Sequence, residues 1–441
     1  MRHLLATIFL TAWVAVASGQ ATAPIEMPTL NLEQIIATAL ENNPDIAAGR
    51  ADVDAAAAQR DIAAGARWPS VHAIGGYTHF QDPVRLSQAT RNGEAGLFSR
   101  DIFGADVVVA LPLYTGGRIT NEIRASDLIR LSTEHRLART REELVFNVSS
   151  TYYSILGQRR VLDSLEFSRK ALDEHRQRIT DLMEAQKAAK VDLLRTDVRL
   201  ADIEQRLVRE ENVLAIQYRV LGNLMGLDER MSVPIVAGEL PPPVTGEGGL
   251  MAVTSTGERA DYLAAEAVVD AQARRVAIAR GARWPTVSAR GSYGGRWAGH
   301  ATDTGPGTDE FEDVGAAGVF VDIPLFEGGR ISAQIRRERA ALAAAGERLR
   351  KLALQVGLDV QTALLNIGSA RKRIEATQAA VDQGKESLRI EQEKYALGKG
   401  SITDVLDAQS ALLDSQTSYY RGLADYHIAQ AQLTFATGGN P

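Results

Sequence analysis

The 441-residue chain contains no cysteine. This absence excludes disulfide bonds, a lipid anchor attached through cysteine, and zinc or iron–sulfur sites built on thiolates. Aromatic residues make up only 6% of the chain, which favours slender, closely packed helices over one thick globular core. The formal charge of −6, without a basic patch, argues against nucleic acid as a partner, because binding to a phosphate backbone rests on clustered positive charge.

Long hydrophobic runs are also missing, apart from one at the start of the chain. Residues 1–23 combine basic Arg2 with an apolar run from Leu4 to Ala17 and small residues after it, which is typical of a cleaved secretory signal peptide. An uncleaved signal anchor is the alternative, although the run is short for a bilayer span. Because no later run suits a transmembrane helix, any membrane-spanning part must consist of strands.

The rest of the chain is an internal duplication. The sequence Gly-Ala-Arg-Trp-Pro-Ser-Val that begins at Gly65 returns at Gly281 with Thr in place of Ser, an offset of 216 (281 − 65). The sequence Leu-Pro-Leu-Tyr-Thr-Gly-Gly-Arg-Ile at Leu111 returns as Ile-Pro-Leu-Phe-Glu-Gly-Gly-Arg-Ile at Ile323, an offset of 212 (323 − 111). A repeat of this length is a domain-sized unit and not a short solenoid repeat.

The duplication divides the chain into four parts after the signal peptide. We predict a first repeat over residues 24–232, a linker rich in proline and glycine over 233–256, a second repeat over 257–437 and a tail over 438–441. The linker is a candidate for part of a collar around the helices.

Each repeat contains two segments in which apolar and polar residues alternate. These predict strands at about residues 68–80, 103–114, 284–297 and 315–326. In the third segment Val287 and Ala289 alternate with Ser288 and Arg290, which would place one face in lipid and the other in water. Polar loops, 81–101 and 298–313, separate the strands of each pair. A soluble hairpin with one buried face shows the same alternation and stays open as an alternative.

Four strands per chain are too few for a membrane barrel. A sheet that spans a bilayer must close, because open edges leave backbone groups unpaired in hydrocarbon. We therefore expect several copies of the chain to share one barrel. This argument predicts an oligomer but does not give its number of subunits.

The remaining segments predict helices, two of them very long. The expected ranges are about 31–64, 117–186, 192–227, 257–280, 329–397 and 403–435. No proline occurs from Gly329 to Leu397, and apolar residues follow a seven-residue step that shifts by four between Val356 and Val360. At 1.5 Å per residue such a helix is about 100 Å long.

The end of the second long helix has a distinct turn sequence. Gly398 and Gly400 would stop the helix, and Ser401 with Asp404 three residues later is typical of a capping box that starts the next one. This order of elements, the Leu-Pro-Leu-Tyr-Thr-Gly-Gly-Arg string and the turn from Tyr395 to Gln409 together resemble the outer membrane efflux (TolC-like) family.

The resemblance implies a mainly α fold with a membrane β-barrel contribution. It also implies a function in export across the cell envelope. Such proteins form a homotrimer with a shared twelve-stranded barrel in the Gram-negative outer membrane and an α-helical tunnel that crosses the periplasm to a gated tip. They connect to an inner-membrane pump, driven by protons or by ATP, through a periplasmic adaptor (membrane fusion) protein. The chain would then need no cofactor or metal and would catalyse no reaction. The alternative is a soluble periplasmic coiled-coil scaffold or adaptor.

The resemblance also implies a gate at the turn. Asp404 and Asp407 lie on one helical face, and a threefold axis would make each a ring of carboxylates that attracts cations. In the family, the position of Tyr395 helps to hold neighbouring hairpins closed. Family members with known gating have a basic residue at the position of Gly400, beside Lys399 here, so one closing link is in doubt.

Two residues of the first repeat complete the set of gate candidates. Asp192 and Arg195 are the counterparts of Asp404 and Asp407 at an offset of 212. Arg195 could pair with a carboxylate across the two hairpins. The alternative is a weak surface pair with Asp192, three residues away on the same helix.

Overall fold

The computed structural model describes residues 29–89, 96–186, 188–228, 235–243, 259–299 and 311–439. The predicted signal peptide, residues 1–23, and most of the predicted linker lie outside these ranges. None of the described helices combines the length and the apolar character needed to cross a membrane.

The two repeats contain the same elements in the same order. The first has α1 (Leu32–Asn42), α2 (Pro44–Gly65), β2 (Ser70–Arg85), β3 (Phe98–Tyr114), α3 (Arg118–Glu184) and α4 (Lys190–Leu224), after the short strand β1 (Thr29–Leu30). The second has α5 (Ala260–Gly281), β5 (Thr286–Ala298), β6 (Phe311–Asp322), α6 (Arg330–Ala396) and α7 (Ile402–Thr437). Strand β4 (Ile235–Val236) lies between them and pairs with β1 in parallel.

The first strand pair is longer than predicted. Strands β2 and β3 extend into the segment 81–101, which the sequence predicts to be a loop, so only residues 86–97 connect them. The amide of Leu86 donates to the carbonyl of Leu97 at 2.9 Å. Leu86, Leu97 and Ala298 form a small buried cluster, and this apolar contact explains why the hairpin continues beyond the predicted strand ends.

Three further expectations need correction. The helix predicted over 31–64 is broken at Asn43, which caps α2 through the amide of Asp45, because a residue before proline disfavours helical dihedrals. The last strand ends at Asp322 and not at residue 326; Pro324 follows, and proline has no amide hydrogen for the ladder. The same strand begins at Phe311, so that Glu312 and Asp313 belong to β6 and not to the predicted loop 298–313.

The long strands form one antiparallel sheet in the order β2-β3-β5-β6. Ser70 lies opposite Ala110 in the first repeat, and Thr286 lies opposite Asp322 in the second. These pairs differ by the offsets of the sequence repeat, 216 (286 − 70) and 212 (322 − 110). The contact between the repeats is made by β3 and β5, with Val107 opposite Tyr293.

The four long helices lie side by side in the order α4-α3-α7-α6. Helix α3 contacts α4 and α7, and α7 also contacts α6. The buried core near the distal end contains Val161, Leu165 and Leu172 of α3 together with Val405 and Leu413 of α7. At 1.5 Å per residue, the 67 residues of α3 and of α6 give each a length of about 100 Å.

The outer helices α4 and α6 have exposed apolar side chains. On α4 these are Val191, Leu194, Val198, Val208, Ile216 and Val220; on α6 they are Leu354, Leu358, Leu365 and Ile390. The predicted linker region is held against the inner helices. Tyr152 donates to the carbonyl of Ala237 at 2.6 Å, and Arg159 donates to that of Val236 at 2.7 Å.

Candidate functional site

The long helices form two distal hairpins, α3 with α4 and α6 with α7. The second hairpin has the turn that its sequence predicts. Helix α6 ends at Ala396, and Gly398 adopts a left-handed conformation with φ +70°. The amide of Lys399 donates back to the carbonyl of Lys394 at 2.9 Å. This pattern satisfies the last carbonyls of the helix, and glycine adopts its dihedrals without steric cost. A methyl group added at Gly400 would stand 3.0 Å from Cβ of Lys394.

Helix α7 starts with the predicted capping box. The amide of Thr403 donates to Oγ of Ser401 at 3.1 Å, and the amide of Ser401 donates to the carboxylate of Asp404 at 3.3 Å. Asp404 therefore stabilises the helix start, although its side chain is exposed. Asp407 follows three residues later and is also exposed.

The two hairpins are joined by side chains of α4 and α7. Arg195 donates to the hydroxyl of Thr403 at 2.9 Å. Arg199 pairs with Asp407 at 3.2 Å, and Arg206 pairs with Asp414 at 3.1 Å. Within one protomer the ion pair proposed for Arg195 is thus made by Arg199, one helical turn further along.

Arg199 and Arg206 are absent from the predicted site, although the sequence contains a signal for them. Arg199 and Arg206 are seven residues apart, and so are Asp407 and Asp414. Opposite charges repeating at seven residues on two helices indicate pairing along a shared seam. The pairing can be recognised only once the distal ends of α4 and α7 are known to lie within reach of arginine side chains.

Tyr395 connects the end of α6 to α3. Its ring lies 5.5 Å from the ring of His175, measured between centroids. Burial raises the pKa of the Tyr395 hydroxyl, and the negative charge of Asp192 raises it further. Burial lowers the pKa of His175, the positive charge of Arg178 also lowers it, and Asp192 opposes both. Tyr395 and Asp192, two predicted gate residues, therefore lie close enough to influence each other.

A cleft of about 510 Å³ lies between α4 and α7 at this end of the molecule. Val191, Leu194 and Val198 form its apolar wall, and Arg199 with Asp407 lies at its polar side. Helices α4 and α7 have few direct contacts. They are joined by long arginine side chains and not by direct packing of apolar side chains. Such contacts are weak individually, because exposed ion pairs contribute about 0.2 to 1 kcal/mol.

The other end of the molecule is a sheet with two different faces. The apolar face, as we call it, consists of Val71, Ala73, Tyr77, Phe103, Val107, Val109, Tyr293, Trp297, Val319 and Val321. The alternate residues form the polar face, which includes His72, Asp106, Ser288, Arg290, Ser292, Arg296 and Glu312. Large side chains of the apolar face are exposed, Val321 to 59% and Tyr293 to 65%.

An ion pair joins the two repeats on the polar face. Both terminal nitrogens of Arg296 bind the carboxylate of Asp106, at 2.8 and 2.9 Å. A methyl group at Gly294 would stand 2.1 Å from the carbonyl oxygen of Ala105 and 2.3 Å from that carboxylate, so glycine leaves space for both the neighbouring strand and the ion pair. On the described residues, no group of three or more His, Cys, Asp or Glu is arranged to hold a metal ion.

Comparisons with known proteins agree with this architecture. The family model described as outer membrane efflux protein matches residues 35–227 and 254–439. Outer membrane protein TolC of Vibrio cholerae is 25% identical over 429 residues, which cover 92% of this chain and 90% of the relative. Outer membrane protein OprJ of Pseudomonas aeruginosa is 26% identical over 431 residues, with coverages of 92% and 84%.

Solved structures share the fold over nearly the whole chain. The outer-membrane channel OprN gives a TM-score of 0.78 at 21% identity and covers 93% of this chain and 90% of its own. CusC gives a TM-score of 0.78 at 18% identity, with coverages of 96% and 95%. With a family match over most of its length, the chain belongs to the outer membrane efflux protein family and is an outer membrane channel of efflux systems.

Proposed function

We propose that three copies of the chain close into a single twelve-stranded barrel in the outer membrane, continued by a helical tunnel in the periplasm. One observation carries this proposal: a four-stranded sheet with an exposed apolar face, in which β2 and β6 each pair on one side only among the described strands. Open strand edges are not tolerated in hydrocarbon. Three sheets of four strands give twelve, an even number within the range of bacterial barrels.

The dimensions of the apolar face support a membrane location. Tyr77, Phe103, Trp297 and Phe311 lie opposite one another in a row across all four strands. Ten residues separate Trp297 from Val287 on β5 (297 − 287), which corresponds to about 33 Å of strand and, at a tilt near 40°, to a band about 25 Å high. The aromatic row then matches the aromatic girdle at one membrane surface.

The long helices suit a duct that catalyses no reaction. Helices α4 and α6 form the two edges of each four-helix layer and expose apolar side chains. In a ring of copies, α6 of one copy would bury these side chains against α4 of the next. The twelve helices would enclose a tunnel directly below the barrel. A relative in Pseudomonas putida is named probable efflux pump outer membrane protein and is 25% identical. We propose that this chain likewise serves a pump in the inner membrane through a periplasmic adaptor.

The distal hairpins are the proposed gate. A threefold axis would bring three copies of Asp404 and Asp407 together, and such carboxylate rings attract cations and repel one another. Arg199 offsets part of the charge of Asp407, and the ring of Tyr395 near that of His175 links α6 to α3 of the first hairpin. For delivery, we propose that residues 1–23 are a cleaved signal peptide, and that the mature protein is not lipidated, since it lacks cysteine.

Conductance in planar lipid bilayers tests this function. Protein extracted from membranes should produce discrete current steps with a preference for cations, because the carboxylates at the tip select for positive charge. Asp404→Asn together with Asp407→Asn should reduce the cation preference. Asp61→Asn, an exposed carboxylate of α2 near the sheet, should leave it unchanged. The absence of current steps from folded, membrane-extracted protein would contradict the channel, and unchanged selectivity in the double variant would contradict the gate.

A further inference from the structure

One arginine on the polar face of the sheet has no ion-pair partner. Arg290 is exposed, and none of the ion pairs made by the described residues includes it, whereas Arg296 on the same strand is paired with Asp106. Along the strands, Asp106 and Asp322 are each four positions from Arg290, about 13 Å. This distance exceeds the Debye length of about 8 Å at physiological salt. The charge of Arg290 is therefore available to a molecule that passes this face.

The guanidinium of Arg290 lies over an aromatic ring. Its central carbon is 5.3 Å from the ring centroid of Phe320, and Phe320 is on the same face because it lies directly opposite Ser288. The ring covers Gly318, the residue directly opposite Arg290, since a methyl group added at Gly318 would stand 3.5 Å from Cε2 of Phe320. Phe320 is 51% exposed. A guanidinium stacked on a ring keeps its N–H edge open, so the pair offers hydrogen-bond donors beside an apolar surface.

The fold of the sheet does not depend on this pair. At the equivalent positions the first repeat has Ile74 (290 − 216) and Val108 (320 − 212). The hairpin of β2 and β3 nevertheless pairs in the register that the two offsets give for β5 and β6. An arginine and a phenylalanine thus replace two aliphatic residues without a change in strand pairing, and they do so once in each chain.

We propose that Arg290 and Phe320 form a binding site for amphiphilic organic anions that leave through the barrel. The inference rests on the proposed channel and names a class of substrate for it. The guanidinium donates two parallel hydrogen bonds to a carboxylate or sulfonate group, and the ring of Phe320 contacts the apolar part of the same molecule. Arg290 repels an amphiphilic cation, and a small inorganic anion gains nothing from Phe320.

The three copies of the site in a twelve-stranded barrel act independently. Strands about 4.8 Å apart and tilted by about 40° give a barrel about 75 Å in circumference. About 25 Å of barrel wall then separates neighbouring copies, which is about three Debye lengths at physiological salt. Each anion therefore meets one guanidinium at a time. It binds weakly enough to leave again, as passage through a pore requires.

Block of the channel current by 2-naphthalenesulfonate tests the site. This probe joins an aromatic ring system to one sulfonate group. Added to both sides of a planar bilayer, it should reduce the current of the wild-type channel at concentrations at which methanesulfonate, which has no ring, and 2-naphthol, which is uncharged at neutral pH, do not. Arg290→Gln should raise the half-blocking concentration at least about tenfold. Phe320→Leu should raise it about threefold.

Arg296→Gln is the matched control. It makes the same substitution on the same strand and face, but in an arginine that is already paired with Asp106, and it should not raise the half-blocking concentration. The site is wrong if Arg290→Gln leaves that concentration unchanged, or if Arg296→Gln raises it equally. Methanesulfonate that blocks as well as the probe would contradict the amphiphilic class.

A second variant covers a failure of assembly. If Arg290→Gln forms no channels, Phe320→Leu takes its place, and an unchanged half-blocking concentration in Phe320→Leu would overturn the proposal. Failure of the site and failure of the channel are distinguishable. The absence of current steps from the folded wild-type protein would contradict the channel, whereas normal steps with the wrong pattern of block would contradict only the anion site.

Discussion

At the residue scale, the ion pair between Arg199 and Asp407 joins the two hairpins at the distal tip of the molecule. The side chains of Arg199 and Asp407 are 40% and 64% exposed, and their atoms are 3.2 Å apart, so Arg199→Ala should lower the free energy of unfolding by less than about 1 kcal/mol. The same change should loosen the tip, because the pair is one of the few bridges between α4 and α7. We expect faster amide hydrogen exchange in the first turns of both helices.

A control for this variant is available on α6. Arg389 pairs with Glu386 and Glu393 at 2.6 Å each, all on one helix. Arg389→Ala therefore removes exposed ion pairs without affecting the contact between hairpins. If Arg389→Ala accelerated exchange at the tip as much as Arg199→Ala, a bridging role for Arg199 would be excluded.

We predict that His175 makes the tip sensitive to acid. Burial lowers its pKa below the ordinary value of 6.5, so the unfolded chain binds more protons than the folded one between the folded pKa and 6.5. Stability then falls as the pH decreases through that window. The protection factors of amides at the α3 end, which correct for the pH dependence of intrinsic exchange, should fall from pH 7 to pH 5.5, and His175→Gln should flatten this dependence. An equal dependence in the variant would assign it to other groups.

The backbone of Gln186 is strained, whereas that of its counterpart in the second repeat, Gly398, is not. Gln186 occupies the position equivalent to Gly398 (398 − 186 = 212) and has φ +58°, the only positive value among the described residues other than glycine. A left-handed conformation costs about 1 kcal/mol in residues with a Cβ atom. Gln186→Gly should therefore raise the free energy of unfolding by roughly 0.5 to 1 kcal/mol, measured by urea denaturation. Gly398→Gln should lower it by a similar amount, and a loss of stability in Gln186→Gly would contradict this account.

The role of a residue could be predicted from the sequence when its partner is only a few residues away along the chain. The capping role of Asp404 follows from Ser401, three residues away, and the structure confirms it. The partner of Asp407 is 208 residues away in sequence, whereas the offset between the repeats pointed to Arg195 as the pairing arginine, without naming its carboxylate. One helical turn separates the two arginines. Which of them reaches Asp407 depends on the axial position of α4 relative to α7.

At the element scale, three consecutive valines of β3 provide a test of the two faces. Val109 belongs to the apolar face, and Val108 points to the polar face. An arginine on a lipid face costs about 2 to 4 kcal/mol near the middle of the bilayer, whereas a lumen position has no such cost. Val109→Arg should therefore abolish most outer membrane assembly, measured by the protein recovered in that fraction. Val108→Arg should assemble nearly normally, and equal yields would contradict the assignment of faces.

Element ends were harder to predict than element types. The long helices α3 and α6 start and end within about two residues of the predicted ranges, and glycines mark the start of both helices and the end of α6. The break at Asn43 and the end of β6 before Pro324 were missed, although both depend on proline. The extension of β2 and β3 could not be predicted, since it depends on Leu86, Leu97 and Ala298 meeting from distant segments.

At the scale of the whole molecule, the duplication explains the architecture. One contact between repeats, β3 against β5 and α3 against α7, is complete within the chain. The equivalent surfaces of β6, β2, α6 and α4 are left at the two sides. The sequence repeat predicts two similar halves, but only the order of strands and helices shows which surfaces remain open. Those open surfaces are the physical reason to expect a closed ring.

The central claim is that three chains share one membrane barrel, and the most direct test is the native mass of the protein extracted from the outer membrane in mild detergent. We predict recovery in the outer membrane fraction and a mass of three chains, unaffected by reducing agent because the chain has no cysteine. A single chain recovered from the soluble periplasmic fraction would contradict the shared barrel. It would favour instead the alternative of a periplasmic scaffold with a small sheet.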